Sequence, residues 1–114
     1  MLVSIVIPCY NSEQTIGKVV ELAIEEFEKL KDYECEFVLV NDYSRDNTWK
    51  SIHALTEKYP NVKGINLAKN FGQHNAIMAG MNYAQGELIL GMDDDMQNHP
   101  SQIPQFLDKM EEGY

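Results

Sequence analysis

The sequence has no basic cluster, no long apolar run and almost no cysteine, and each lack removes a class of function. Nine Lys and Arg residues face eighteen Asp and Glu, a net charge of −9, and the basic residues are scattered singly. Such a chain repels phosphodiester backbones and anionic lipid, so nucleic acid and anionic membrane surfaces are not expected partners. A polyanionic ligand would have to bring a metal or be held by backbone N–H groups. The only cysteines are Cys9 and Cys35. They fall near the end of one expected strand and the start of the next parallel one, too far apart for a disulfide. Free thiols in a reducing cytoplasm follow. No run approaches the roughly 18 residues of a spanning helix, and Leu2 to Ile7 lacks the basic flank and length of a signal peptide. His53, His74 and His99 have no metal-ligand spacing and read as surface or structural residues. What is present, 44% apolar residues in 114, suits one folded domain over 1–114 with a modest core.

Periodicity then orders the chain. Leu2-Val3-Ser4-Ile5-Val6-Ile7 is β-branched and apolar and predicts a central first strand, ended by Pro8. Ser12 and Thr15 are N-capping candidates for a helix through Ile16, Val19, Val20, Ala23, Ile24 and Phe27, ending near Leu30. Phe37 to Val40 predicts a second buried strand with Asn41-Asp42 at its C-terminal edge. Ser44 or Asp46 can cap a helix through Trp49, Ile52, Leu55 and Tyr59, halted by Pro60. Val62 to Leu67 is a shorter edge strand, and Gln73 to Ala84 a helix whose Ala76, Ala79, Gly80 and Ala84 allow close approach to the sheet. Gly86 is its expected stop. A fourth strand precedes a last helix opened by Pro100 or Pro104 and carrying Ile103, Phe106, Leu107 and Met110. The order βαβαβαβα predicts an α/β fold with a doubly wound, mostly parallel sheet.

The chain is organised around Glu87 to Pro100, where an apolar run stops at Asp93-Asp94-Asp95. Leu88 to Leu90 show no alternation, the pattern of a strand covered on both faces. Ligands of open α/β sheets bind beyond the strand C-termini, so the acids lie where a ligand would. In extended backbone Asp93 and Asp95 point the same way, roughly 6 to 7 Å apart at Cα, and Asp94 points to the other side. Crowded carboxylates call for a cation, and Mg²⁺ or Mn²⁺ takes one or two carboxylates together with water and substrate phosphate. The alternative is an acidic first turn favoured by the dipole of the following helix.

Four stretches in order resemble the nucleotide-binding half of inverting family 2 glycosyltransferases with the GT-A fold. They are Ser4 to Asn11 (SIVIPCYN), Val40 to Thr48 (VNDYSRDNT), Asn70-Phe71-Gly72 with Ala76, Gly80, Ala84 and Gly86, and Asp93 to Gln97 (DDDMQ). The form Asp-x-Asp-x-Gln-x-x-Pro is most similar to the branch that glycosylates polyprenyl (dolichyl or undecaprenyl) phosphate. The resemblance covers nearly the whole chain and implies an apparently truncated GT-A domain. It implies that Asp42 accepts from the base or ribose, that Pro8, Cys9 and Tyr10 form the wall against the base, and that Lys69, Asp93 and Asp94 also line the nucleotide. Asp93, Asp95 and Gln97 would hold Mg²⁺ or Mn²⁺ beside the diphosphate, Met96 would be core, and Asp46 and Thr48 would be capping residues.

The departures from the family pattern are local. Asn41 stands where a second acid is usual, Tyr43 where a glycine is usual, Lys69 where an arginine is common, and Ser12 where a glutamate is frequent. Lysine offers a point charge in place of a planar fork. No catalytic base is identified, because in this fold the base or acceptor segment follows the acidic motif.

The resemblance implies a metal-dependent inverting transfer from a UDP- or GDP-sugar to a lipid-phosphate or glycan acceptor. The location would be cytoplasmic, with the full-length protein membrane-associated on that face. An open sheet edge beside the fourth strand would allow a homodimer. Two other functions compete: a nucleotide-sugar-binding module without turnover, and a receiver-type signalling domain, which would need an acid pair at the end of the first strand where Ile7-Pro8-Cys9 stands.

Overall fold

The structure is a computed structural model that describes residues 1–70, 72–94, 103, 104 and 107. Its elements run β1 (Leu2–Cys9), α1 (Ile16–Glu28), β2 (Glu34–Asn41), α2 (Thr48–Lys58), β3 (Val62–Asn66), α3 (Gln73–Met81) and β4 (Leu88–Gly91). All pairings are parallel, and the sheet order is β3-β2-β1-β4. The first strand is therefore central, the polar third strand is an edge, and the acidic strand lies beside the first, as its sequence led one to expect. Cys9 pairs with Asn41 and Cys35 with Val3. The strand length thus keeps both cysteines free.

Strand alternation divides the core into two layers. Val3, Ile5, Ile7 and Cys9 of β1 and Phe37 and Leu39 of β2 pack with Ile16, Val19, Val20, Ala23 and Phe27 of α1 and with Ile52 and Leu55 of α2. Val6, Val38 and Val40 turn the other way, onto Ala76 of α3. Helices thus cover both faces, the doubly wound arrangement. Each fully buried Ile, Leu or Phe contributes about 1.5 to 3 kcal/mol relative to exposure. Gly80 makes the approach of α3 possible, since a Cβ there would collide with Val6 and lie 3.0 Å from Cγ2 of Val40.

The ends of β1 and α3, the role of Gly86 and the cover of β4 differ from expectation. Pro8 does not end β1, which runs to Cys9. The carbonyls of Leu2 and Val6 accept from Glu87 and Met92 on the β4 side, whereas those of Met1 and Cys9 accept from Glu34 and Asp42 on the β2 side. The alternation turns Pro8 toward β4, whose ladder has already stopped at Gly91, so its missing N–H costs no sheet bond. The third helix ends at Met81, not near Ala84, and Gly86 is no helix stop: a Cβ there would stand 2.6 Å from Ser4 Oγ and 2.7 Å from Ser4 N. Among the described residues β4 is not covered on both faces, because α3 packs over β1 and β2 and Ile89 is exposed. Ile103 and Leu107 of the expected final helix are buried in the α1-side core. Phe106 and Met110 lie outside the described residues.

At the N-terminal edge of the sheet, Glu36 is a buried carboxylate with three donors: Ser4 Oγ at 2.5 Å, Gln85 N at 2.6 Å and Lys63 Nζ at 2.9 Å. Burial pushes its pKa up, but the Ser4 hydroxyl, the Gln85 N–H and the Lys63 ammonium outweigh it and hold the carboxyl below its usual range. A depressed folded pKa adds stability that is full above the unfolded value of about 4.3 and fades as pH falls through the folded pKa. Acid titration of urea unfolding is expected to show a steeper loss below about pH 4.3 in the native sequence than in Glu36→Gln. Parallel curves would remove Glu36 from the acid response.

Candidate functional site

Three segments meet at the C-terminal edge of the sheet: the loop after β1, the loop after β2 and the exit of β4. The first two are laced by side chains. Asn11, at φ 51, donates its N–H to Ser44 Oγ at 3.0 Å and accepts from Arg45 N at 3.0 Å through Oδ1. Ser12 N donates to Thr48 Oγ1 at 2.8 Å, and Glu13 N to Asp46 Oδ2 at 3.3 Å. Asp46 Oδ1 accepts from Thr48 N at 3.0 Å and also from the Thr48 hydroxyl. Asp46 and Thr48 therefore serve the turn before α2; the N-cap is Asn47, which makes no side-chain capping bond, where Ser44 or Asp46 was expected.

Asn41 and Asp42 divide two roles that the sequence left together. Asn41 builds the turn: its Oδ1 accepts from Ser44 N at 3.3 Å and Ser44 Oγ at 2.5 Å, and its Nδ2 donates to Asn66 Oδ1 of β3 at 2.8 Å. Asp42 points to the opposite face. It is buried, and its Oδ2 accepts from Gly72 N, the residue before α3, at 3.0 Å. A strand-end carboxylate is thus held against the start of α3.

Tyr43 stands at φ 55, in the left-handed region that costs a Cβ-bearing residue about 1 to 2 kcal/mol. This explains why a glycine suits the position. Tyr43 is 58% exposed, so its ring adds little packing to offset the strain. Tyr43→Gly is expected to raise stability by about 0.5 to 1 kcal/mol after the added freedom of the unfolded chain is subtracted. Urea unfolding reads this directly, and a destabilised variant would mean the ring is anchored.

Beyond Gly91, Met92 is buried in the core and its N–H donates to Val6 O at 3.1 Å. Asp93 and Asp94 follow, both half-buried. Asp94 is tied to the β1–α1 loop twice: its Oδ2 accepts from Tyr10 N at 2.9 Å, and its carbonyl accepts from Thr15 Oγ1 at 2.7 Å. Tyr10 keeps an exposed ring above this junction. The sequence offered no sign of either bond.

The remaining expected residues separate. Pro8 and Cys9 are buried, and the Cys9 thiol lies in the α1-side core and donates to Ile7 O at 3.3 Å. Burial, then the nearby Asp94 charge, pushes that thiol's pKa well up, so it stays protonated and any ligand contact at Cys9 falls to its backbone. Lys69 is exposed in the β3–α3 loop. His53 is a surface residue, 3.3 Å from Glu57. Asp95 and Gln97, expected in the metal set, lie outside the described residues, as does His99. Among the described residues no three His, Cys, Asp or Glu side chains converge to hold a metal ion. Asp93 and Asp94 supply hard oxygen donors of the kind Mg²⁺ and Mn²⁺ take.

Comparison with known proteins gives a consistent answer. The family model described as Glycosyl transferase family 2 matches residues 4–114. Among curated proteins, the chain is 45% identical over 114 residues to the undecaprenyl-phosphate 4-deoxy-4-formamido-L-arabinose transferase of Shewanella sediminis (strain HAW-EB3), covering 98% of this chain and 34% of that protein. It is 37% identical over 113 residues to a prophage bactoprenol glucosyl transferase homolog of Escherichia coli (strain K12), covering 99% and 37%. Among solved structures, S. aureus TarS 1-349 in complex with UDP superposes with a TM-score of 0.75 at 26% identity, covering 98% of this chain and 32% of that one. The chain spans about a third of the length of the curated relatives it matches.

Proposed function

The chain belongs to glycosyl transferase family 2, and from that premise we propose that residues 1–114 are the nucleotide-sugar-binding part of a GT-A enzyme. That enzyme transfers a sugar from a UDP- or GDP-sugar to a polyprenyl phosphate. The observation that carries the reading is the placement of two acidic strand ends on either side of β1: Asp42 directly after β2 and Asp93-Asp94 after β4. They sit where a nucleotide could lie along the sheet edge with its base toward Asp42 and its diphosphate toward Asp93. The UDP complex of TarS supports a uridine nucleotide, and the undecaprenyl and bactoprenol relatives support the acceptor.

In this reading Asp42 accepts a hydrogen bond from the base or ribose, the exposed Tyr10 ring stacks on the base, and Lys69 approaches the nucleotide from the β3–α3 loop. Asp93, Asp95 and Gln97 would hold Mg²⁺ or Mn²⁺, and a cation bound there neutralises charge on the leaving diphosphate. The acceptor attacks the anomeric carbon from the opposite face, and configuration inverts. A phosphate acceptor is already an anion and needs no general base, which suits a site whose acids are committed to nucleotide and metal. No helix among the described residues is long and apolar enough to cross a membrane. The proposed location is the cytoplasmic face of a membrane that holds the lipid acceptor.

The test is transfer of radiolabelled sugar from UDP- and GDP-sugars to undecaprenyl phosphate in detergent micelles, comparing the 114-residue chain with the longer, full-length transferase of Shewanella sediminis. Binding of nucleotide-sugar by both, with lipid-dependent transfer by the longer protein alone, is the expected result. Absence of nucleotide binding in both would sink the reading. Turnover by the 114 residues alone would show that no acceptor segment is missing.

A self-association follows from the same topology. Among the described residues β4 pairs with β1 only, and Met78, Met81, Tyr83 and Ile89 are exposed. An edge strand beside apolar surface is a template for another chain. Light scattering on the 114-residue chain is expected to report a dimer, and a monomer at all concentrations would count against the open edge.

A further inference from the structure

The acids follow β4, and the strand's own sequence sets only part of its register. Leu88, Leu90 and Met92 pack on the α1-side core, and a one-residue slip against β1 would bring Ile89 and Gly91 with Glu87 or Asp93 into their places. The same slip would move Asp93 to the height of Asp94 and reverse the sides on which both point. Four residues paired to a single neighbour provide little ladder to resist it. Groups outside the strand reinforce the register that its apolar face favours.

We propose that Ser4 and Glu36 are positioning residues that lock the register of β4 from its far end and thereby set where Asp93 and Asp94 emerge. Three consecutive backbone N–H groups enter the lock. Gln85 N donates to Glu36 Oε2 at 2.6 Å, Gly86 N to Ser4 Oγ at 2.7 Å and Glu87 N to Leu2 O at 2.9 Å. Ser4 Oγ in turn donates to Glu36 Oε2 at 2.5 Å, and Lys63 Nζ holds the second carboxylate oxygen at 2.9 Å. Ser4 and Glu36 are register partners on β1 and β2, so the lock is built on the two central strands. Its fit is steric as well as polar. The backbone of Gly86 lies so close to Ser4 that no other side chain enters without displacing it. A strand entering one residue early or late would place a Cβ in that gap and leave Glu36 and Ser4 buried without their N–H donors, at the cost of unsatisfied polar groups. The lock adds this polar and steric penalty to the apolar burial that Leu88, Leu90 and Met92 would lose.

The consequence for ligand binding rests on the proposed nucleotide-diphosphate function, but the register claim does not, and hydrogen exchange separates them. At the C-terminal edge, Met92 N donates to Val6 O and Tyr10 N to Asp94 Oδ2. Away from β4, Asp42 N donates to Cys9 O and Phe37 N to Asn61 O. In Ser4→Ala and in Glu36→Gln, protection at Met92 and Tyr10 is expected to fall roughly tenfold or more relative to Asp42 and Phe37. Ile52→Val, a core change on the opposite layer, should leave that ratio unchanged. Ser4→Ala is the smaller change and keeps the test decisive if Glu36→Gln fails to fold. Equal loss at all four amides would reduce the pair to ordinary stabilising residues and overturn the proposal. Calorimetry with UDP and Mn²⁺ on the same variants then reads the consequence. A selective exchange effect in a protein that does not bind UDP would leave the lock standing and remove the nucleotide reading.

Discussion

Replacing Asp42 by alanine is expected to weaken binding of UDP by roughly ten- to a hundredfold, with or without metal. The carboxylate is 4% exposed, so a hydrogen bond it accepts from a base or ribose forms away from bulk water and carries about 1.5 to 3 kcal/mol. The same side chain accepts from Gly72 N at 3.0 Å, and alanine removes that bond too. Asp42→Asn separates the two effects, because its amide oxygen can still accept from Gly72 while the charge is gone. If Asp42 reads the nucleotide, alanine loses affinity far in excess of any fall in melting temperature, and asparagine retains the fold with an intermediate affinity. Unchanged UDP affinity in both variants, with a lowered melting temperature in alanine alone, would reduce Asp42 to an anchor for the start of α3.

Mn²⁺ and UDP are expected to bind together at least roughly tenfold more tightly than either binds alone, equivalent to a coupling of about 1.4 kcal/mol. A chain of net charge −9 that gathers carboxylates at one strand end repels a bare diphosphate, and each ligand supplies the charge the other lacks. Substitutions should sort by position. Asp93→Asn and Asp95→Asn are expected to abolish the coupling, since both are assigned to the cation. Asp94→Asn should act differently: the Asp94 carboxylate holds Tyr10 N at 2.9 Å, so the variant disturbs the loop after β1 and weakens UDP even without metal. Titration calorimetry with each ligand as background for the other measures all of this. Equal UDP affinity with and without Mn²⁺ in the native sequence would refute the metal reading, as would intact coupling in Asp95→Asn.

Some of the site was legible because strand alternation and strand ends are local properties. The run Phe37-Val38-Leu39-Val40 predicts a strand, and its end places Asp42 at the sheet edge whatever the rest of the chain does. The division of labour between Asn41 and Asp42 was not legible, because each residue can serve a turn. What separates them is which face of β2 each occupies and what waits there: Ser44 and Asn66 for one, Gly72 for the other. Gly86 was misread for a similar reason. A glycine after a helical pattern suggests a helix stop, and only the approach of the α3–β4 turn to Ser4 reveals the space it must leave empty.

The sequence by itself determined the alternation of strands and helices, the central place of β1, the polar edge at β3 and the collection of acids at strand C-termini. These follow from periodicity, from right-handed crossovers and from the rule that parallel strands point their ends the same way. Tertiary structure alone decided how far each element runs and which groups meet. It carried β1 through Pro8, because the missing donor faces a side where the β4 ladder has stopped. It bared Ile89, because α3 packs over β1 and β2. It joined Asp94 to Tyr10 and Thr15, and Glu36 to Ser4, Lys63 and Gln85, across 27 to 84 residues of chain. Such bonds depend on the register between strands, which the core-facing Leu88, Leu90 and Met92 and the polar groups around Gly86 set together.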